Sequence, residues 1–441
     1  MTTLDWLVLF AYGAGILAIG FVTSRIIRSS SDLFRAGGES PWWLSGVSGY
    51  MTMFSAGTFV VWGGIAFKSG LVAVSICMCY GLSALLVGRF VAAHWKRLGV
   101  ATPAEFIELR FGRAAVQFYI WLNMAGRVFG MAVMMYALGV MLSALVPLAE
   151  GSPFRDAATG TLAPAWSVAI CGAIIIAYTV SGGLWAVLMV DVLQFIVLCL
   201  SVVFVVPLVL AKAGGVGAFV DAAPAGFFLP VAGEFTGWFL AGWVAIHFFK
   251  VGAEWAFAQR FICVPDARDA RKSAYLFGAL YLVTPLFWML PAMVYRAIDP
   301  AANPEQAYIL ACRSVLPAGM VGMMLAAMFS ATASSVCGEL NVFAGVLTHD
   351  VYRALIAPRA SEPRLVAAGR LFTVLLGVGV TGVAIAVPHL GGAEKVVISV
   401  TSLLVGPLVL PTLWGLFSPR VGRTCVAPTA LISFAVGGML R

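Results

Sequence analysis

The stretch MFSATASSVCGELN, residues 328–341, sets four hydroxyls (Ser330, Thr332, Ser334, Ser335), a thiol (Cys337), a carboxylate (Glu339) and an amide (Asn341) inside a long apolar run. Wound as a helix at about 100° per residue, Ala327, Ala331, Ser334, Gly338, Asn341 and Gly345 share one narrow stripe, with Ser335 and Glu339 beside it. Adjacent serine hydroxyls can turn lone pairs towards one point. Oxygen donors without a soft partner suit an alkali cation, the more so if a neighbouring unwound helix adds free carbonyls. The competing reading is small-residue helix packing, with Ser and Thr bonded to their own i−4 carbonyls. On composition alone, packing is the plainer of the two.

A second group lies in WVAIHFFKVGAEWAFAQRF, where Trp243, His247, Lys250 and Glu254 recur at spacings of three and four and so share a helix face. A charge at the bilayer centre costs at least ~2.5 kcal/mol, so such residues are rarely idle. They form either a self-neutralising Lys250–Glu254 pair that fixes packing or part of a solute site. Asn123 and Arg127 are again four apart. Arg127 needs a carboxylate from elsewhere: Glu339, Glu254, Asp191 or a bound anion. Asp191, in SGGLWAVLMVDVLQF, falls near the start of its apolar run, where an aspartate more often caps than ligates.

The elements that must position these groups are membrane helices. The chain is 61% hydrophobic and 10% charged, with a mean hydropathy of +0.99, against roughly 25% charged residues in a soluble domain. Spans of ~20 apolar residues are expected near 4–23, 42–66, 71–93, 114–147, 165–183, 186–211, 237–258, 274–296, 317–347, 371–388, 396–417 and 424–440. Loops after odd-numbered spans carry 18 Lys and Arg against 6 on the opposite side, which supports twelve spans and an external N-terminus. The net charge of +8 is thereby a topology signal, and no nucleic-acid partner is expected. Membrane lipid surrounds the chain, and the expected location is a bacterial inner (plasma) membrane. The first run lacks a basic leader and reads as a retained helix, not a cleaved signal. Eight cysteines show neither zinc spacing nor a disulfide framework. No feature of the sequence sets an oligomeric state.

Glycines interrupt the second span (Gly57, Gly63, Gly64) and the seventh (Gly252). Broken helices at corresponding places in two halves point to a midplane binding site. Spans two to six and seven to eleven, residues 42–211 and 237–417, then form two five-helix halves of opposite topology within one transporter domain. Residues 4–23 precede them and residues 424–440 follow.

Four segments carry a family resemblance: DLFRAGGESPWWLSGVSGYMTMFSAGTFVVWGGIAFKSGL, YTVSGGLWAVLMVDVLQF, AQRFICVPDARDARKSA, and LPAGMVGMMLAAMFSATASSVCGELNVFAGVLTHDVYR. In this order, the sequence resembles the solute:sodium symporter family, which includes sodium–glucose, sodium–proline and sialic acid symporters. The resemblance implies an all-α polytopic protein with a five-plus-five inverted-repeat (LeuT-like) core, no enzymatic activity, and sodium-coupled symport of a small polar organic solute. It also implies a sodium cage of the carbonyls of Met51, Phe54 and Ala331 and the hydroxyls of Ser334 and Ser335. Some members hold a second sodium at Asp191 with two later hydroxyls; here those positions are Cys337 and Gly338, so one ion is expected. Thr58 takes a solute-facing position past the break. With Arg127, His247, Lys250, Glu254 and Glu339, it makes the expected solute set and favours a carboxylate: a sugar acid, a sialic-like acid or an amino acid.

Two other classes compete. Gly46-Val47-Ser48-Gly49 matches the nucleophile pattern of rhomboid-type intramembrane proteases, with His247 as the base. A membrane solute sensor without net transport would use the same fold. Glu339 and Glu254 also leave proton coupling open in place of sodium.

Overall fold

A computed structural model describes residues 2–24, 38–100, 103–178, 184–418 and 420–439. Apolar runs become helices because a bilayer leaves each backbone polar group to be satisfied within its own segment. Helix α1 (Thr3–Ser24) precedes a broken second span. There α2 (Trp42–Thr52) stops, residues 53–55 leave the helix, and a π-helical turn (Thr58–Trp62) leads into α3 (Gly63–Ser69). Then come α4 (Leu71–Phe90), the short α5 (Ala92–Arg97) and α6 (Pro103–Phe111), the long α7 (Arg113–Leu145), α8 (Pro164–Tyr178), α9 (Leu184–Lys212) and the short α10 (Gly215–Ala222). The seventh span is also broken, into α11 (Gly237–Ala253) and α12 (Trp255–Ile262). It is followed by α13 (Ala267–Ile298), α14 (Ala307–Val315) and α15 (Met320–Val346), which runs on as a π-helix over Leu347–Ile356. The described chain closes with α16 (Glu362–Ala386), α17 (Gly392–Phe417) and α18 (Val426–Met439).

Each of the twelve expected runs meets a helix or a broken pair. Among the described residues, seven helices are long and apolar enough by themselves to cross a membrane. Three outcomes differ from expectation. The ninth span extends past residue 347 as a π-helix. The seventh breaks at Glu254, two residues beyond the expected glycine. The second breaks at residues 53–55, ahead of its glycines but just past Met51 and before Thr58 as the resemblance implies, and capping contacts at Ser55 start a new helix there.

Small residues let the inner helices approach. A Cβ on Gly81 of α4 would lie 2.8 Å from the Gly278 carbonyl of α13, and one on Gly46 of α2 would lie 2.9 Å from the Ser273 carbonyl. Such close backbones replace the hydrophobic drive that lipid removes. At the periphery, Leu371, Val374, Leu375 and Val378 of α16 are exposed at helical spacing, a stripe suited to acyl chains.

One contact ties the first helix to the ninth span. Asp5, 3% exposed, accepts the backbone N–H of Gly319 at 2.7 Å and of Gly322 at 3.0 Å, capping α15 from outside it. On the same side, Glu305 accepts the Tyr136 hydroxyl at 2.6 Å and the Ala393 N–H at 3.2 Å, while Lys68 pairs with Glu394 at 3.0 Å. These bonds draw α3, α7, the segment before α14 and the start of α17 together over one end of the molecule.

Candidate functional site

The break in the second span is a capping box. Ser55 accepts the Gly57 N–H at 3.1 Å, and Thr58 accepts the Ser55 N–H at 3.2 Å. That leaves the Ala56 N–H, which the hydroxyl of Thr332 on α15 accepts at 3.1 Å. The sequence SAGT therefore starts a new helix, and its last orphan donor is satisfied by the ninth span. At the other edge of the break, the Met51 carbonyl accepts the Phe54 N–H at 2.9 Å and keeps a second lone pair.

Met51, Phe54, Thr58 and Ala331 are all buried here, and Ser335, one turn beyond Thr332, is half-buried. The side chain of Ser334 lies outside the described residues. Thr58 gives one lone pair to the cap, so it fixes the start of the new helix as well as standing beside the break. Thr332 was missed by the stripe reading, since it falls well off that face of the helix. The signal available was the cap itself, which leaves the Ala56 N–H in need of an acceptor.

The charged residues meet at a cleft lined by Asn123, Arg127, Lys250, Glu254, Trp255 and Thr401 together with apolar side chains. Arg127 lies between two carboxylates: it pairs with Glu339 at 2.9 Å and also with Glu254. Of the partners open to Arg127, the structure selects both of these and leaves Asp191 elsewhere. The Lys250–Glu254 ion pair weighed above is not formed, because Glu254 ends α11 in an extended conformation and turns to Arg127. Lys250 stands within electrostatic reach of Arg127 and Glu339 but contacts neither carboxylate directly. His247 does not join this cleft. It is 1% exposed, bonds through Nδ1 to the Trp243 carbonyl at 2.9 Å, and packs its ring on Tyr80 and Trp243.

Asp191 is buried two turns into α9 and is not an interfacial cap. It accepts the Ser48 hydroxyl at 2.6 Å, Arg260 reaches the same hydroxyl at 3.3 Å, and the guanidinium charge acts on Asp191. Ser48 is thus tied to a carboxylate and an arginine, while His247 bonds to the Trp243 carbonyl; the protease constellation is not assembled. One turn on, Gln194 donates to Ser330 at 2.8 Å and links α9 to α15.

A sequence profile described as the sodium:solute symporter family matches residues 33–437. The chain belongs to the sodium:solute symporter family. The symporter is 26% identical to the sodium/sialic acid symporter NanT of Aliivibrio fischeri, over 85% of this chain and 75% of that one. It is 25% identical to a sodium/glucose cotransporter of Vibrio parahaemolyticus, over 95% and 81%. A solved structure of a Na+-coupled sialic acid symporter, substrate-bound and outward-open, aligns with a TM-score of 0.77 at 22% identity, covering 98% of this chain and 91% of that one. At that identity the likeness is one of fold. The symporter has the five-plus-five inverted-repeat, LeuT-like architecture, with one helix before the core and one after it. It is an integral membrane transporter that moves a small solute with sodium, and not an enzyme.

Proposed function

We propose that the symporter carries one sodium ion together with a small polar solute bearing a carboxylate, by alternating access. The proposed membrane is a bacterial inner (plasma) membrane with the N-terminus outside, as the loop charges favour. The repeats are assigned to residues 42–211 and 237–417 within one domain. The proposed sodium ligands are the carbonyls of Met51, Phe54 and Ala331 and the hydroxyls of Ser334 and Ser335. The observation that carries this reading is the Ala56–Thr332 hydrogen bond, which brings the broken helix against the segment holding the two serines. Asp191 is not a second cation ligand in this reading, since Ser48 and Arg260 already answer its charge.

Sodium then acts by binding one state better than another: it holds the break against α15, and separating them for release strips ligands from the ion. One positive charge entering with an inward-negative potential gains ~2.3 kcal/mol per 100 mV. The solute is assigned to the cleft lined by Arg127, Lys250 and Glu254, with Glu339 paired to Arg127 beside it, Thr58 at the break and His247 supporting from its aromatic packing.

The test is uptake into proteoliposomes under a sodium gradient, with choline replacing sodium at fixed pH. Ser334→Ala with Ser335→Ala is expected to abolish sodium stimulation. A double variant with wild-type sodium dependence rules out the cage.

A further inference from the structure

Resting on the solute reading above, we propose that the solute is a zwitterion, with its carboxylate on Lys250 and its ammonium on the free oxygen of Glu339. Arg127 is the poorer receptor for the solute's carboxylate, because Glu254 and Glu339 already answer its charge. Two groups of the cluster are left over. The Lys250 ammonium lines the cleft and has no ion-pair partner among the described residues. The Oε2 of Glu339 is buried without a hydrogen-bond partner, its other oxygen being held by Arg127. They carry opposite charges and act on one another, yet stand too far apart for a direct ion pair.

A molecule that spans this gap must offer an anion at one end and a donor at the other. Charge balance selects the same class. Arg127, Lys250, Glu254 and Glu339 sum to zero, so a monoanion would leave a net negative charge in a low-dielectric cleft, where an unpaired charge is costly. A zwitterion leaves the sum at zero and satisfies both orphans. Sodium is then the one net charge moved, and the potential drives accumulation.

The experiment uses the full chain in proteoliposomes under a sodium gradient, with three matched probe sets: radiolabelled α-amino acids, the same carbon skeletons without the amino group, and the same skeletons as amino amides. Neutral sugars form a fourth set. A zwitterion is expected to be carried with inward positive current, with its deamino and amide partners at least about tenfold weaker. Lys250→Met should lose that uptake, Lys250→Arg should retain part of it, and Glu339→Gln should bring the deamino acid to within about threefold of the zwitterion. Sodium-driven uptake of a deamino acid or a sugar as good as that of every zwitterion overturns this assignment alone. No sodium-driven uptake from any set overturns the proposed function with it. A Lys250→Met protein that still prefers the zwitterion also overturns the assignment, because the anion is then held elsewhere.

Discussion

The hydroxyl of Thr332 lies 3.1 Å from the backbone nitrogen of Ala56, and this bond joins the break in the second span to the ninth span. Thr332→Val keeps the shape and removes the acceptor. The buried Ala56 N–H is then unpaired, at a cost of about 1–3 kcal/mol. The expected outcome is a rise of roughly tenfold or more in the sodium concentration that half-saturates uptake, with Thr332→Ser close to wild type. Sodium titration of uptake checks it.

Arg127 holds Glu254 and Glu339 together, so its removal should cost stability as well as transport. Breaking a partly buried ionic cluster by taking out one member costs about 3–5 kcal/mol. Arg127→Met is expected to unfold earlier in detergent micelles. Adding Glu254→Gln and Glu339→Gln should recover most of the loss, because no charge is then stranded. If Arg127→Met alone is as stable as wild type, the cluster does not hold the fold.

Glu305 joins Tyr136 of α7 to the start of α17. In the proposed orientation, with the N-terminus outside, the side bearing Lys68 and Glu394 is the outer one, and these bonds then close the external end. Tyr136→Phe removes a hydrogen bond to a carboxylate, about 1.5–3 kcal/mol. The outward-open population should rise, and the apparent external KM for solute should fall by the factor that this population gains. An unchanged KM with an unchanged maximal rate removes Glu305 from the gate.

Asp5 caps α15 at Gly319 and Gly322, and a Cβ on Gly322 would clash with the Asp5 carbonyl. Gly322→Ala and Asp5→Ala should each lower the unfolding temperature, the first by displacing α1 and the second by leaving two N–H groups unpaired. Asp5→Asn keeps an acceptor and should do less. Thermal unfolding in detergent, with and without sodium, tests all three.

Much was legible in the residues themselves. Twelve apolar runs and the bias of Lys and Arg among their loops gave the spans, because a bilayer forces backbone bonds inward and sorts charge by side; the glycines of the second and seventh spans marked which two are broken, a few residues away from the breaks themselves. Ser334, Ser335, Lys250, Glu254 and Arg127 stood out by their cost in lipid. What the sequence could not decide was partnership. Arg127 had three protein carboxylates to choose from, and only the turn of Glu254 out of its helix and the approach of α15 settled on two. His247 shared a helical face with Lys250, yet packing with Tyr80 and Trp243 took it out of the cleft. Thr332 lay off the polar stripe, and its role emerged only when α15 met the uncapped nitrogen of Ala56. Spacing along one helix fixes which side chains share a face. Which face meets which neighbour is set by the packing of all the helices at once.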